Sequence, residues 1–237
     1  MEKNKSCIIL GAGPSIGLAA AKKFASHGYN IALASRDKNK LDILAKNEGL
    51  KSINVETFSV DASNESQILD LVQAAEKKLG PVEVAIYNPS KFVKKSFLDL
   101  TSKEVEDAWR VTCLGGFIFA REVSKLMINR KRGSIIFTGA TAGMRGGNGF
   151  AAFAIGKFGL RALAESLARE MHPKGIHVLW VNIDGVIRNK KTDSLNENAE
   201  ENFMNPDDIA NNYFHLHQQP KSTWSHSVEL RPWKETF

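Results

Sequence analysis

The sequence predicts an α/β protein in which helices cover both faces of a doubly wound parallel sheet of about seven strands. Apolar segments of strand length alternate with longer amphipathic segments from one end of the chain to the other. The 237 residues, 43% of them hydrophobic, suffice for one such domain with a substantial core. No internal repeat or linker-like stretch divides the chain, so we expect a single domain over residues 1–237.

The individual elements follow from these periodicities and from the turn residues between them. The predicted strands are Ser6–Leu10, Asn30–Ala34, Ile53–Val60, Val82–Tyr87, Ser134–Thr138, Ile176–Ile183 and Val228–Leu230. The predicted helices are Ser15–His27, Lys38–Asn47, Glu65–Leu79, Ser102–Asn129 (capped by Thr101 or Ser102), Gly149–Met171 and a last helix that starts at Pro206-Asp207-Asp208. The polar stretch Arg188–Asn205 is expected to form a loop over the site, where it would contact the substrate.

Charge and apolar patterning narrow the possible functions. The net charge of +6 comes from basic residues scattered over predicted helix faces, without the basic and aromatic clusters of a nucleic-acid site. No apolar run has the length of a membrane span, and the polar residues Met1–Lys5 lead straight into the first strand, so we expect neither a membrane anchor nor a signal peptide. Cys7 and Cys113 lie in separate predicted elements, which indicates buried free thiols and a reducing, cytoplasmic location. No metal site is expected.

A glycine-rich loop lies between the first strand and the first helix, in the order Gly11-Ala12-Gly13-Pro14-Ser15-Ile16-Gly17. Glycine permits a tight turn that brings backbone N–H groups close to a pyrophosphate at the N-terminus of a helix. A simple chain reversal is the alternative interpretation of such a turn. The strand–turn–helix context favours a Rossmann-type dinucleotide site. The loop residues expected to bind the cofactor are Gly11, Gly13, Ser15, Ile16 and Gly17.

The ends of the second and third strands bear on which dinucleotide is bound. Arg36 comes directly after Ser35 at the end of the second strand, where an arginine suits the 2′-phosphate of NADP(H) and an acidic residue would select NAD. Asp37 comes next and would repel that phosphate if it faced the ribose. We predict NADP(H), with an ordinary surface arginine as the alternative. Asp61, at the end of the third strand, either accepts a hydrogen bond from the adenine amino group or caps the following helix.

With these motifs in place, the chain resembles the short-chain dehydrogenase/reductase family over residues 6–232. Residues 11–17 look like the glycine loop of that family, with Ser15 in place of its middle glycine. Asp61 matches its adenine-side aspartate. The segment Tyr87-Asn88-Pro89-Ser90 looks like a degraded form of its Asn-Asn-Ala-Gly turn, in which only Asn88 is kept. The resemblance implies a nicotinamide cofactor and places Asn88 beside it.

The catalytic residues of the family are mostly replaced. Lys157 falls on the lysine of the Tyr-x-x-x-Lys motif, and Asp184-Gly185 stand where the family usually has Pro-Gly. The resemblance implies that Lys157 binds the ribose of the nicotinamide half and that Gly185 lies beside the cofactor. Phe153, however, occupies the position of the catalytic tyrosine, Ala140 that of the serine and Cys113 that of the asparagine. Phe153 has no proton to give to a substrate oxygen, so the familiar acid–base mechanism is weakened.

Other groups are candidates for the missing roles. Thr141 follows the serine position and either offers its hydroxyl to the substrate or is an ordinary residue at the end of a strand. Asp184 lies near the expected nicotinamide position and either donates a proton, with a raised pKa, or binds backbone N–H groups in a turn. Arg145 and Arg188, in the flanking loops, would bind an anionic substrate if they are not simply solvated.

These observations leave two main hypotheses. The first is an NADP(H)-dependent oxidoreductase that acts on a small carbonyl/alcohol pair and takes its proton from Thr141, Asp184 or a bound water. The second is a non-catalytic NADP(H)-binding protein that keeps the fold for a sensor or assembly role. A redirected enzyme, such as an isomerase or lyase, is a third possibility. The substrate itself has no readable signature in the sequence.

Self-association is also implied by the resemblance, since the family usually forms dimers or tetramers through its two long helices. The matching segments are Ser102–Asn129 and Gly149–Met171, and Phe117 and Phe119 are candidates for an outward apolar surface or for the core. We therefore expect a homodimer or homotetramer. Aromatic residues near the C-terminus are expected to pack on a neighbour or on the domain itself; they are Trp224, Trp233 and Phe237.

Overall fold

The computed structural model describes residues 5–189 and 202–234 of the chain. Its strands are β1 (Ser6–Leu10), β2 (Asn30–Ser35), β3 (Val55–Ser59), β4 (Val82–Tyr87), β5 (Ser134–Thr138), β6 (His177–Ile183) and β7 (Ser227–Leu230). Its α-helices are α1 (Ile16–Ala25), α2 (Lys38–Ala45), α3 (Glu65–Leu79), α4 (Ser102–Trp109), α5 (Gly115–Ile128), α6 (Ala151–Met171) and α7 (Pro206–His217). Every predicted strand is present, and where bounds differ from the prediction they do so by one or two residues.

The seven strands form one parallel sheet in the order β3-β2-β1-β4-β5-β6-β7. The chain builds outward from β1 in one direction through β2 and β3, and in the other direction from β4 to β7. The strand order therefore reverses between β1 and β4. Ligands of open α/β sheets bind at such a reversal, at the carboxyl ends of the strands. The predicted doubly wound fold is confirmed, and it places the site beside the loops that follow β1 and β4.

Buried side chains lie on both faces of the sheet, because neighbouring residues of a strand point to opposite faces. In β1, Ile8 and Leu10 belong to the core formed with α3, α5 and α6. Cys7 and Ile9 belong to the core formed with α1 and α7 on the other face. The helices exclude water from both faces, so that a polar ligand finds room at the ends of the strands.

The predicted helix Ser102–Asn129 contains an interruption. A turn of π-helix, Arg110–Leu114, separates α4 from α5. There the Tyr87 hydroxyl donates a 2.5 Å hydrogen bond to the carbonyl oxygen of Val111. Gly115 also lies so close to the loop after β3 that a side chain at this position would collide with that backbone. The close approach of β4 and of this loop accounts for the widened turn, which helical periodicity does not reveal.

Helix ends follow local signals. Thr101 is the cap of α4: its hydroxyl accepts from the Glu104 N–H, and the Glu104 carboxylate accepts from the Thr101 N–H. This reciprocal pair satisfies two N–H groups that the helix itself leaves unbonded. Helix α6 begins at Ala151 and not at Gly149, because Gly149 has φ +80°, which lies outside the right-handed helical region.

Most of the predicted loop Arg188–Asn205 cannot be compared with the structure, since residues 190–201 lie outside the described part of the chain. The two described ends of the loop meet. Ile187 and Met204 form a parallel bridge, and the Arg188 N–H donates to the Met204 carbonyl oxygen at 2.8 Å. Both described ends of the loop therefore lie at the carboxyl edge of the sheet, and the contact of the loop with substrate stays a prediction.

Several predictions about apolar and aromatic side chains are settled by burial. Phe119 belongs to the core, whereas Phe117 is 43% exposed on α5. Trp224 packs on the domain itself, where its ring stacks on a β6 histidine with 4.5 Å between centroids. Trp233 is exposed, and Phe237 lies outside the described residues.

Both cysteines are free thiols, as predicted; Cys7 is buried and Cys113 is half-buried. Within residues 5–189 and 202–234, no helix is long and apolar enough to cross a membrane. The same ranges contain no group of three or more side chains placed to hold a metal ion.

Candidate active site

Two adjoining cavities, each of about 770 Å³, follow the carboxyl edge of the sheet. The first lies between the glycine loop, the end of β5, the start of α6 and the turn after β6. The second lies beside the ends of β2 and β3. Both are lined by Asn88, Ser90 and Phe92 from the segment after β4, so they form one elongated cleft across the strand reversal. A larger cavity, of about 1050 Å³, opens at the amino edge of the sheet, away from every predicted site residue.

Two of the three glycines in the loop after β1 are required by the fold. Gly11 has φ +85°, and a Cβ there would lie 2.7 Å from the Pro89 nitrogen. A Cβ on Gly17 would lie 2.8 Å from the Cα of Ala12. A Cβ on Gly13 would meet no atom within 4 Å, and Gly13 lines the cleft. The fold therefore requires Gly11 and Gly17, while the backbone at Gly13 is left open to a ligand.

Ser15 lies at the N-terminus of α1. Its hydroxyl is buried but has no hydrogen-bond partner among the described residues, and it does not cap the helix. A buried polar group without a partner costs about 1–3 kcal/mol. A phosphate oxygen at this helix end would supply the partner and would meet the positive end of the helix dipole. Ile16 is 5% exposed, so it offers the cleft its backbone and not its side chain.

The end of β2 presents one positive charge. Arg36 is exposed there, lines the cleft, and its guanidinium forms no hydrogen bond or ion pair with the residues that the structure describes. Asp37 caps α2: its carboxylate accepts from the Lys40 N–H at 3.1 Å and pairs with the Lys40 ammonium at 3.1 Å. These hydrogen bonds hold the pKa of Asp37 below its ordinary value. Because Asp37 is engaged by α2, the conflict with a 2′-phosphate that the sequence suggested is reduced.

Asp61 lies at the other side of the same cavity. One of its oxygens accepts from the Ser63 N–H at 2.8 Å and from the Ser63 hydroxyl at 2.7 Å. These bonds and the charge of Arg36 hold the pKa of Asp61 below its ordinary value. The cap of α3 is Asn64, which accepts from the Gln67 N–H at 3.2 Å. Asp61 is thus not the helix cap, because it closes the turn before the helix, and its contact with adenine stays a prediction.

Asn88 and Gly185 hold the backbone around the cleft. The Asn88 side-chain amide donates to the Gly11 carbonyl oxygen at 3.0 Å, which fastens the end of β4 to the glycine loop. Gly185 is required by packing, since a Cβ there would lie 2.6 Å from the Cδ of Pro232. Both residues line the cleft, and their position beside a cofactor stays a prediction.

Lys157 lies near the start of α6 and is 2% exposed. Its Nζ donates a 2.8 Å hydrogen bond to the carbonyl oxygen of Thr138, the last residue of β5. Burial lowers the pKa of Lys157 to about 7. Phe153 lies one helical turn earlier, with its ring centroid 5.9 Å from this Nζ. Lys157 therefore lines the cleft and does not point to bulk solvent.

The prediction that Asp184 is an acid with a raised pKa is wrong. Burial does raise its pKa, but hydrogen bonds from Thr141 and Arg231 and the charges of Arg231 and Arg145 outweigh that effect, so the pKa lies below its ordinary value. The Thr141 hydroxyl donates to Oδ1 of Asp184 at 2.5 Å, and Arg231 pairs with Oδ2. Asp184 is thus an ionised acceptor. The proton of Thr141 is directed at this carboxylate and not at a substrate.

Ala140 and Cys113 differ in their relation to the cleft. Ala140 lies in extended conformation at the end of β5 and lines the cleft beside Thr141. Cys113 lies in the π-helical turn, against Gly159 of α6, and lines neither cavity of the cleft.

Some residues of the site were missed by the sequence analysis. Phe92 lies 5.6 Å from Phe150 and 5.3 Å from Phe153, measured between ring centroids, and the three rings form an apolar wall of the cleft. Arg231 reaches Asp184 from beyond β7. These contacts join distant segments of the chain, so no spacing along the sequence indicates them.

The family to which the chain belongs is shown by comparison. The family model for short chain dehydrogenases matches residues 5–200. The protein is therefore a member of the short chain dehydrogenase family, a class of oxidoreductases with a Rossmann-type fold. It is similar to the crystal structure of a short-chain dehydrogenase from Rhodopseudomonas palustris, with a TM-score of 0.86 and 38% identity over 98% of this chain and 100% of that one.

Further relatives are more distant. A metagenomic short-chain oxidoreductase in complex with NADP shares the fold, with a TM-score of 0.84 and 24% identity over 97% and 98% of the two chains. The 3-dehydrosphinganine reductase of Danio rerio is 33% identical over 177 residues, which are 72% of this chain and 53% of that protein. The 3-oxoacyl-[acyl-carrier-protein] reductase of Bos taurus is 29% identical over 82% of this chain and 80% of its own length.

Proposed function

We propose that this protein binds NADP(H) along the cleft and transfers a hydride between this cofactor and a small carbonyl/alcohol pair. The observation that carries the proposal is the buried Ser15 hydroxyl without a partner among the described residues, next to the open backbone of Gly13 at the N-terminus of α1. Both features fit a pyrophosphate group. Membership of the short chain dehydrogenase family supports the same class of reaction.

The other residues of the cleft fit the two ends of the same cofactor. Arg36 would bind the 2′-phosphate of NADP(H), and Asp61 would accept from the adenine amino group. Lys157 would donate to the ribose hydroxyls of the nicotinamide half, since among the described residues only Thr138 accepts from its ammonium, which has three N–H donors. The NADP-bound metagenomic relative is consistent with this choice of cofactor.

The mechanism is atypical at the acid–base step. Bound NADPH would supply the hydride, while the chain must orient the carbonyl and provide a proton. Phe153 and Ala140, at the positions of the family tyrosine and serine, have no hydroxyl. Loss of a general acid costs about 10²–10⁴ in rate, or about 3–5 kcal/mol of barrier. Orientation of the substrate beside the cofactor retains part of the acceleration, so turnover of a reactive carbonyl compound is expected.

The first test is a fluorescence titration of the purified protein with NADPH and with NADH. We expect tighter binding of NADPH, and Arg36→Gln should weaken NADPH binding about tenfold, which corresponds to about 1.4 kcal/mol, with little effect on NADH. Arg169→Gln, at the far end of α6, is the matched control and should change neither affinity. If neither dinucleotide binds, the proposal is wrong and the resemblance extends only to the fold.

A second candidate function is a non-catalytic NADP(H)-binding protein, which is favoured by the missing hydroxyls at Phe153 and Ala140. The double variant Phe153→Tyr with Ala140→Ser decides between the two. If the protein is non-catalytic, it should reduce no carbonyl compound itself, and the double variant should acquire this activity, because it restores an acid and an orienting hydroxyl. Measurable reduction by the unmodified protein, with little gain in the double variant, would instead support a working atypical enzyme. The assay is NADPH oxidation with a panel of carbonyl compounds.

A further inference from the structure

The cleft contains few groups that can exchange a proton near neutral pH. Serine, threonine and asparagine side chains do not ionise there. Among the described residues that line the cavity at the ends of β5 and β6, the ionisable side chains are Arg145, Lys157 and Asp184. A guanidinium does not act as a proton donor in proteins, so Arg145 is set aside. Asp184 is an ionised acceptor bound by Thr141 and Arg231. By elimination, one ionisable group with an exchangeable proton is left.

That group, the ammonium of Lys157, is placed for proton transfer. Its one hydrogen bond to a described residue runs to Thr138, two residues before Ala140 in the chain. It forms no ion pair with any residue in the described ranges, so no carboxylate holds its proton there. Burial lowers its pKa to about 7, which lets the amine both lose and regain a proton near neutral pH.

The charged and titratable groups around α6 do not oppose this role. Asp184 and Arg145 face the cleft from the segments after β6 and β5, and they interact with each other at 4.0 Å. Cys113 and Tyr87 approach from the π-helical turn and from β4, and burial raises the pKa of both, so they stay neutral. Phe153 lies directly before Lys157 on the helix face and helps to keep it dry.

We propose that Lys157 is the proton donor and acceptor of the reaction, in place of the hydroxyls absent from positions 153 and 140. This inference rests on the proposed function. In reduction, bound NADPH would supply the hydride for the new C–H bond at the carbonyl carbon, and the C=O π electrons would move to oxygen. That oxygen takes a proton from the Lys157 ammonium, which leaves an alcohol, NADP⁺ and a neutral amine. The amine regains its proton from water.

A direct test does not depend on turnover. Protein labelled with ¹³C and ¹⁵N in lysine is titrated by NMR, and the Lys157 signal is assigned by its loss in Lys157→Arg. A midpoint near pH 7 for the Cε shift supports the proposal. A midpoint above pH 10 overturns it, because the ammonium would then hold its proton throughout the working range.

The kinetic test uses 1-phenyl-1,2-propanedione as an activated carbonyl probe with NADPH. The reduction rate should fall as pH rises through about 7, and oxidation of the matching hydroxyketone should rise over the same range. Lys157→Arg keeps a cation for the ribose but cannot release a proton. Its affinity for NADPH should stay within about tenfold of that of the original protein, while its kcat should fall by about 10²–10⁴. The rate of this variant should not change with pH near 7. Lys157→Met serves as a second variant in case the larger arginine disturbs packing.

The outcomes separate this inference from the proposed function. If Lys157→Arg retains the rate and the pH limb, Lys157 is not the donor, while the enzyme proposal stands. If the protein binds NADPH and Lys157 titrates near 7, but no carbonyl compound is reduced, the enzyme proposal and the role of Lys157 fail together. If NADPH does not bind at all, the cofactor assignment fails as well.

Discussion

At the scale of single residues, the glycine loop separates what the fold needs from what a ligand needs. Gly11 has a left-handed backbone and touches the segment after β4, so a side chain there is strained and crowded. Gly13 has neither constraint, because space beyond its Cα is open. The same residue type therefore has a structural role at one position and, in the proposed function, a binding role two residues later.

This difference gives a paired prediction. Gly13→Ala should leave the free energy of unfolding within about 0.5 kcal/mol of the original and should weaken NADPH binding about tenfold or more, because the methyl group enters the cleft. Gly11→Ala should destabilise the fold by about 1–3 kcal/mol through its backbone strain and its contact with Pro89. Urea unfolding and NADPH titration of both variants check the prediction. Equal loss of stability in the two would contradict it.

The residue scale also shows how far side-chain chemistry can be predicted. The sequence placed Lys157 and Asp184 at the site, and both line the cleft. It could not give the charge state of Asp184, because that depends on Arg231, 47 positions away in the chain. A pKa is set by neighbours in space, and neighbours from other elements are not visible in a motif.

At the scale of elements, a histidine joins α7 to the sheet. His217, the last residue of α7, interacts through Nδ1 with the Ser134 hydroxyl at 2.8 Å and through Nε2 with the Tyr29 hydroxyl at 2.7 Å. Ser134 begins β5 and Tyr29 directly precedes β2. Burial lowers the pKa of His217 to about 4, so the folded protein holds this ring neutral at the amino edge of the sheet.

The stability of the protein should therefore fall in mild acid. Between about pH 6.5 and about pH 4 the unfolded chain binds a proton at His217 that the folded chain does not, so stability is lost as pH falls through this window, by an amount on the order of 3 kcal/mol. His217→Gln should remove that part of the pH dependence. His215→Gln, an exposed histidine on the same helix, should not. Urea unfolding at pH 7 and pH 4.5 makes the comparison, and an unchanged pH dependence in His217→Gln would count against this assignment.

The elements themselves were largely predictable. The central strands were predictable because they are buried on both faces and are therefore continuous apolar runs. The edge strands β3 and β7 are only partly buried, and the turn residues around them helped to locate them. The interruption between α4 and α5 was not predicted, since it arises where the Tyr87 hydroxyl donates a hydrogen bond to the carbonyl oxygen of Val111. Helical periodicity indicates which face of a helix is buried. It does not indicate that a side chain from another element bonds a carbonyl oxygen of the helix.

At the scale of the whole molecule, the strand order creates the cleft. The reversal between β1 and β4 brings the glycine loop, the end of β5 and the turn after β6 to one edge. Self-association through the long helices stays a prediction; exposed apolar side chains suited to such a contact are Phe117, Ile155 and Phe158. Each of these side chains is 43–47% exposed, so the described part of the chain does not cover them.

That Phe153 and Ala140 stand at the tyrosine and serine positions of the family stays a prediction from the resemblance. The sequence by itself determined the α/β class, the glycine loop and the basic residue after β2. These are properties of residue type and order, which local propensity and periodicity express directly. Only the tertiary structure decided that Asp184 is held as an anion, that Thr141 is turned toward it, and that burial lowers the pKa of Lys157 to about 7. Burial and charge pairing depend on residues brought together from distant segments, and these distances are fixed by folding alone.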